Sequence, residues 1–423
     1  MPQALTPSQV SKAFNKMLRI NFDNIKRGGK RAPLFIWGPP GIGKSMLFEQ
    51  ECKKRNLLLI DVRLTQMEPT DLRGIPVPVA KSIHKAVTDF VEGNEESDVT
   101  ITETSNVDMV EVRWAIPGFL PQINTQNGKW DGWHNGHKYD GFVILLDELP
   151  NAPQSVQAGS YQLVLDGKLG EYIVPSNGVI FAAGNRMSDK GGTYKMPRPL
   201  VNRFIHIEME ADFKEWQKYA ISAGINAKII GYLSANPARL TEEFKDGGNY
   251  DYGFASPRAW ERASDIENDE ELYKSETPYD IMRALVGGAL GEATAIDYFV
   301  HRENIGKLPS PEDILTGKIK NIDNETRNKA AMCYTLVIQL CQFIYTEYRS
   351  LNKEKPSYKK DLERLYSYLD RFFDFSMDNF QKEMNVLAGR TINSEYSMDD
   401  INLDDVPSFD VFIEKYQDLI ADN

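Results

Sequence analysis

The chain has 423 residues with 61 acidic and 49 basic side chains, a net charge of −12 at pH 7. That balance argues against a surface built to coat DNA. At 41% hydrophobic and 26% charged it has the composition of an ordinary globular protein, long enough for two or three domains. No apolar run reaches about 18 residues, so no membrane-spanning helix is expected.

The first residues, MPQALTPSQV, lack a basic-then-apolar secretory pattern. Cys52, Cys333 and Cys341 have neither zinc spacing nor an even count, so they read as reduced core thiols of a cytoplasmic protein. Residues 8–26 read as an amphipathic helix, because Val10, Phe14, Met17, Leu18 and Phe22 recur at roughly helical spacing. Residues 1–31 are basic, with Lys12, Lys16, Arg19, Lys26, Arg27, Lys30 and Arg31 against Asp23.

A short apolar run, Leu34–Trp37, reads as a buried strand. It leads into Gly38-Pro39-Pro40-Gly41-Ile42-Gly43-Lys44-Ser45, and Met46 to Gln50 read as the first turns of a helix. Strand, glycine loop and helix together form a phosphate site. Glycines let the backbone N–H groups turn towards a β-phosphate, and the helix N-terminus adds a favourable dipole. Lys44 supplies a charge for the β- and γ-phosphates, and the Ser45 hydroxyl suits a Mg²⁺ ion.

Leu57–Val62 reads as a second strand ending near Arg63. Residues 69–140 are rich in turns and acid and lack long periodic segments. Short extended pieces such as Met109–Ala115 suggest inserted hairpins. The stretch 88–112 holds Asp89, Glu92, Glu95, Glu96, Asp98, Glu103, Asp108 and Glu111 with no Lys or Arg, and reads as a solvated face. His134 and His137, three apart beside Gly136, read as a surface loop rather than a metal site.

The wholly apolar run Phe142–Leu146 has the character of a central parallel strand. It ends in Asp147, placed to hold Mg²⁺, and Glu148, placed to polarise an attacking water. Pro153–Leu165 reads as a helix, Lys168–Val174 as a hairpin, and Val179–Ala183 as a strand closed by Gly184 and Asn185. In a parallel sheet the ligand lies beyond the C-terminal strand ends, so Asn185 would sit between the carboxylates and a γ-phosphate. Arg203 precedes the strand Phe204–Met209 and, donated to a neighbouring subunit, would stabilise charge on a transferring phosphoryl group. Arg198 competes for that role. Ser256 and Pro257 mark a helix start whose first turn carries Arg258, placed to sense a γ-phosphate. From Phe213 onward the pattern is almost entirely helical. The series Tyr366, Tyr368, Phe372, Phe373 and Phe375 reads as a helical core stripe.

The order of glycine loop, Asp-Glu strand end, Asn185, Arg203-Phe204 and Ser256-Pro257-Arg258-Ala259 resembles the AAA+ ATPases, specifically the MoxR branch. Gln66–Gly74, Gly192–Pro197 with Arg203-Phe204, and Phe254–Ala259 carry the resemblance to that branch, which spans roughly residues 30–265. It implies an AAA+ P-loop NTPase fold, a three-layer α/β sandwich with a parallel sheet, followed by an all-helical lid and a helical C-terminal extension. It also implies ATP and Mg²⁺. Gly38 to Met46 would bind nucleotide, with Ser45 and Asp147 on the metal. Glu148, Asn185, Arg203 and Arg258 would be the catalytic, sensor 1, arginine-finger and sensor 2 residues. Gly118–Leu120 and Lys168–Val174 fall where the family places its pore-facing loops.

The chain departs from the family in Pro150-Asn151, Arg198 and the long acidic stretch. The expected domains are a basic helical arm (1–31), a nucleotide-binding domain (32–211) with hairpins inserted at about 69–140, a lid (212–305) and an extension with an acidic tail (306–423). The expected assembly is a homo-oligomeric, hexameric ring acting on a protein client such as one with a von Willebrand A domain. A nucleic-acid motor or nuclease-partner ATPase is the alternative.

Overall fold

The structure is a computed structural model. It describes residues 4–88, 101–124, 126–189, 194–242, 252–274, 276–396 and 398–421, with backbone alone for 78–88, 101–113, 187 and 417–421. Residues 89–100 of the acidic stretch, and Gly192 and Thr193, lie outside the described residues. The chain divides into two compact units: Met1–Pro39 with Lys44–Met209, and Pro40–Gly43 with Glu210–Asn423.

In chain order the first unit contains β1 (Ala4–Leu5), α1 (Pro7–Lys26), β2 (Leu34–Trp37), α2 (Lys44–Lys53), β3 (Leu57–Arg63), α3 (Pro69–Arg73), β4 (Ile75–Thr88), β5 (Ile101–Ala115), β6 (Trp133–His134), β7 (His137–Lys138), β8 (Gly141–Asp147), α4 (Gln154–Asp166), β9 (Lys168–Leu169), β10 (Tyr172–Ile173), β11 (Gly178–Gly184), α5 (Arg198–Val201) and β12 (Ile205–Met209). A six-stranded sheet runs in the order β1-β12-β2-β11-β8-β3, and every neighbouring pair is parallel. This is the α/β sandwich with a parallel sheet that the sequence predicts.

All seven residues of β8 and of β11 are buried. Parallel strands covered on both faces have no wet side, hence their unbroken apolar sequence. Phe14 of α1 packs edge-on against Phe48 of α2 and Phe181 of β11, at 5.6 and 5.2 Å between ring centroids. The helix therefore sits on the sheet. Its buried stripe is Val10, Phe14, Met17, Leu18 and Asn21. Phe22, expected on that stripe, is half-buried. Asn21 takes the inward place because its amide donates to the Met17 and Ala32 carbonyls and accepts from the Ala32 N–H, each at 2.8 Å. Such a satisfied buried amide has no signal in a hydrophobic pattern.

The inserted region differs from the sequence reading. In place of short hairpins, β4 and β5 form a single antiparallel ribbon of 14 and 15 residues. Met109–Ala115 is only the end of it. Gly74 starts the ribbon with φ 89°, and a Cβ there would lie 1.9 Å from the Ala115 carbonyl oxygen. Only glycine fits that approach. His134 and His137 pair across a two-residue hairpin and are exposed.

The second unit is helical: α6 (Phe213–Ser222), α7 (Ala227–Ala235), α8 (Pro257–Glu267), α9 (Pro278–Leu290), α10 (Glu292–Ile305), α11 (Pro311–Leu315), α12 (Asn324–Arg327), α13 (Ala330–Ser350), α14 (Tyr358–Asn379), α15 (Lys382–Arg390) and α16 (Pro407–Ala421). One core joins Trp260, Tyr298, Leu336, Phe372 and Phe373, all fully buried. Each buried Phe contributes roughly 2–3 kcal/mol of transfer free energy. The predicted stripe on α14 holds for Tyr368, Phe372, Phe373 and Phe375, whereas Tyr366 is half-buried. Its hydroxyl accepts the Asn402 N–H at 3.2 Å.

Within that core lies a charged cluster. The Glu267 carboxylate, wholly buried, pairs with Arg302 at 2.6 Å and Lys228 at 2.9 Å, and accepts the Tyr298 and Tyr273 hydroxyls. No described helix is long and apolar enough to cross a membrane. The three cysteines are buried and unpaired.

Candidate nucleotide site

Three adjacent strands, β2, β11 and β8, end on the same side of the sheet. Their C-terminal ends deliver the glycine loop, Asn185 and the Asp147-Glu148 pair. The crevice beyond such ends is where parallel α/β sheets bind ligands.

Lys44 is buried at the start of α2. Its ammonium donates to the Gly38 carbonyl at 2.8 Å, the Pro39 carbonyl at 2.9 Å and the Asn185 amide oxygen at 2.9 Å. An ammonium has three N–H groups, so these contacts can occupy all of them. A phosphate oxygen arriving here would exchange with a loop carbonyl, not find an idle donor. The Ser45 hydroxyl donates to Asp147 Oδ2 at 2.7 Å. The glycine-loop hydroxyl and the acid at the end of β8 are thus side by side.

Glu148 follows in the left-handed region, φ 55° and ψ 29°. Non-glycine residues rarely adopt it, and it costs about 1–3 kcal/mol. The turn is held by the Glu148 N–H donating to Asp147 Oδ1 at 2.9 Å, and by the Thr65 hydroxyl donating to Glu148 Oε2 at 2.7 Å. The Glu148 side chain remains exposed.

Thr65 lies just after β3, the neighbour of β8, and is not among the site residues expected from the sequence. Its position beyond a parallel strand end was the available signal. Asp61 on β3 is likewise not among those expected residues. Burial first, then the negative charge of Asp147, pushes its carboxyl upward. The Ser45 hydroxyl and the Asp147 carboxylate, 2.7 Å apart, are hard oxygen donors of the kind a Mg²⁺ ion takes.

Arg186 fixes the Asn185 loop. Its N–H and guanidinium bind Asp189 at 2.9–3.2 Å, and Nη1 donates to Glu208 on β12 at 2.5 Å. Burial opposes its charge, but the two carboxylates outweigh burial and raise its pKa.

Arg203 lies over the Tyr161 ring of α4, 4.9 Å from the centroid, and its Nη1 is buried with no hydrogen-bond partner. Arg198, at the start of α5, is exposed. Arg258 belongs to the second unit. There the Ser256 side chain caps α8 by accepting the Ala259 N–H at 3.3 Å, and the Arg258 N–H donates to the Gly41 carbonyl at 3.2 Å. The Arg258 side chain is exposed. Gly41 has φ 79°, and a Cβ on it would lie 2.7 Å from Ser256 Oγ.

No protein-family model matches the chain. Among solved structures it aligns with the Holliday junction branch migration motor RuvB of Thermotoga maritima at 13% identity, over 80% of this chain and 74% of that one, with a TM-score of 0.28. It aligns with NtrX of Brucella abortus, solved in complex with ATP, at 11% identity, over 73% of this chain and 65% of that one, with a TM-score of 0.30. Scores this low carry no argument about what the chain does.

Proposed function

We propose that the chain is a Mg²⁺-dependent ATPase of the AAA+ class, of MoxR type, and that it works in a ring, expected to be hexameric, to remodel or mature a partner protein. The observation that carries the ATPase reading is the meeting of Lys44 with Asn185 and of Ser45 with Asp147 at the ends of three parallel strands. A chance glycine turn has no reason to bring those four side chains together.

Gly38 to Met46 wrap the triphosphate, and Lys44 holds its β- and γ-oxygens. Ser45 and Asp147 hold Mg²⁺, which when bound neutralises charge developing on the phosphates. Glu148, exposed and aimed by Thr65, orients a water and takes its proton. Asn185 spans from Lys44 to that water. Arg203 of a neighbouring subunit completes the site, and Arg258 reports the γ-phosphate to the helical unit. The MoxR assignment and the protein client, for which a von Willebrand A domain is the expected class, rest on the motif resemblance.

The nucleic-acid alternative draws on the basic first 31 residues. One of these is engaged elsewhere: Arg31 donates to the carbonyls of Gly178, Val174 and Pro175 at 3.0–3.2 Å.

The test is Glu148→Gln expressed in the native cell and captured in ATP. A roughly stoichiometric protein on a multi-subunit particle supports remodelling. Nuclease-sensitive nucleic acid instead overturns that reading in favour of a motor.

A further inference from the structure

His206 on β12 uses both ring nitrogens. The Trp37 indole N–H donates to its Nδ1 at 2.8 Å, and its Nε2 lies 2.7 Å from the Val201 carbonyl oxygen. The partners assign the tautomer. An indole N–H only donates, so Nδ1 accepts; Nε2 faces a carbonyl, so it carries the proton.

The two ends of this link are telling. Trp37 is the last residue of β2, and the next carbonyl, Gly38, holds the Lys44 ammonium at 2.8 Å. Val201 ends α5, and its carbonyl also accepts the Phe204 N–H at 3.2 Å, closing the turn that carries Arg203. One imidazole thus bolts the root of the glycine loop to the Arg203 turn. The rings reinforce it: Trp37 stacks on Phe35 at 4.2 Å and on His206 at 5.9 Å. An apolar side chain could fill this place between β2 and α5, but it would not fix the Arg203 turn to Trp37 by two directed bonds.

We propose that His206 is a positioning residue that sets the Arg203 turn from the end of the glycine-loop strand, so that a subunit's own nucleotide loop and the arginine it offers its neighbour share one rigid support. This rests on the reading of the chain as an ATPase whose arginine acts in trans.

The test compares His206→Phe, Trp37→Phe and the double variant with the full-length wild type, reading kcat, KM, affinity for a fluorescent ATP analogue and melting temperature. Both substitutions keep a ring and delete the directed bonds. Each single variant should lower kcat about tenfold with KM and analogue affinity unchanged, as expected of a misplaced catalytic group. The double variant should lose no more than the worse single one, since both cut the same link. Mixing His206→Phe with Lys44→Ala protomers should restore turnover, because the inert protomer lends a correctly held arginine. Unchanged kcat, additive losses, losses that follow melting temperature or analogue affinity, or no rescue on mixing would each overturn the positioning role and leave the ATPase reading intact. A wild type that does not hydrolyse ATP would overturn the ATPase reading, and this inference with it.

Discussion

Lys44 and Asn185, 141 residues apart in sequence, meet at 2.9 Å between ammonium and amide oxygen. The contact joins the glycine loop to the end of β11 and predicts different fates for the two residues. Charge-assisted hydrogen bonds contribute roughly 1.5–3 kcal/mol each. Lys44→Ala should therefore weaken ATP binding by at least tenfold in calorimetry. Asn185→Ala leaves the charge in place and should reduce turnover more than affinity. Equal affinities for wild type and Lys44→Ala would contradict the assignment.

Glu148 holds a left-handed backbone that glycine adopts freely. Glu148→Gly should stabilise the fold by about 1 kcal/mol while abolishing turnover. Denaturant midpoints measure the first effect and phosphate release the second. A variant less stable than wild type would mean that the Thr65 contact outweighs the strain.

Two arginines compete for the trans role. Arg203→Ala should abolish hydrolysis while sparing ATP binding, and Arg198→Ala should retain most turnover. The reverse pattern would transfer the role to Arg198, whose exposure contrasts with the Tyr161-stacked Arg203. Steady-state ATPase assays with parallel binding measurements separate the outcomes.

The helical unit should lose stability in acid, by two groups with the same sign. Burial lowers the His301 pKa from 6.5 to about 4. The unfolded chain gains a proton there first, so stability present above pH 6.5 declines as pH falls towards 4, by about 3 kcal/mol in full. Burial opposes the Glu267 charge, but Lys228 and Arg302 outweigh it and hold the carboxyl below its ordinary value. Its contribution is present above the ordinary carboxyl range and is lost as pH falls through the depressed folded value. His301→Gln should flatten the stability profile between pH 6.5 and 4. Glu267→Ala should cost about 3 kcal/mol at neutral pH, since it strands the buried Arg302 guanidinium and unpairs the partly exposed Lys228. Chemical denaturation across pH reads both.

Strands β2, β8 and β11 were legible because burial on both faces writes an unbroken apolar run. The short strand β1 was not, since Ala4 and Leu5 gain strand character only by pairing with Glu208 and Met209 of β12. The ribbon β4–β5 was legible only at its Met109–Ala115 end, because two strands paired with each other alone need no alternation of apolar and polar residues. At the site, Lys44, Ser45, Asp147, Glu148 and Asn185 stood out as polar residues closing apolar runs. Thr65 and His206 did not, because each takes its meaning from a neighbouring strand. Their partners, Glu148 and Trp37, lie 83 and 169 residues away in sequence.

The central claim is ATP hydrolysis at the Lys44–Glu148 site. The most direct measurement is phosphate release from Mg²⁺-ATP by full-length wild type and Glu148→Gln, with ATP binding measured on both. The account predicts steady turnover by wild type, and about a thousandfold less by Glu148→Gln at comparable affinity, the range expected for removal of a general base. Equal turnover by the two proteins, or a wild type that neither binds nor hydrolyses ATP, would contradict it.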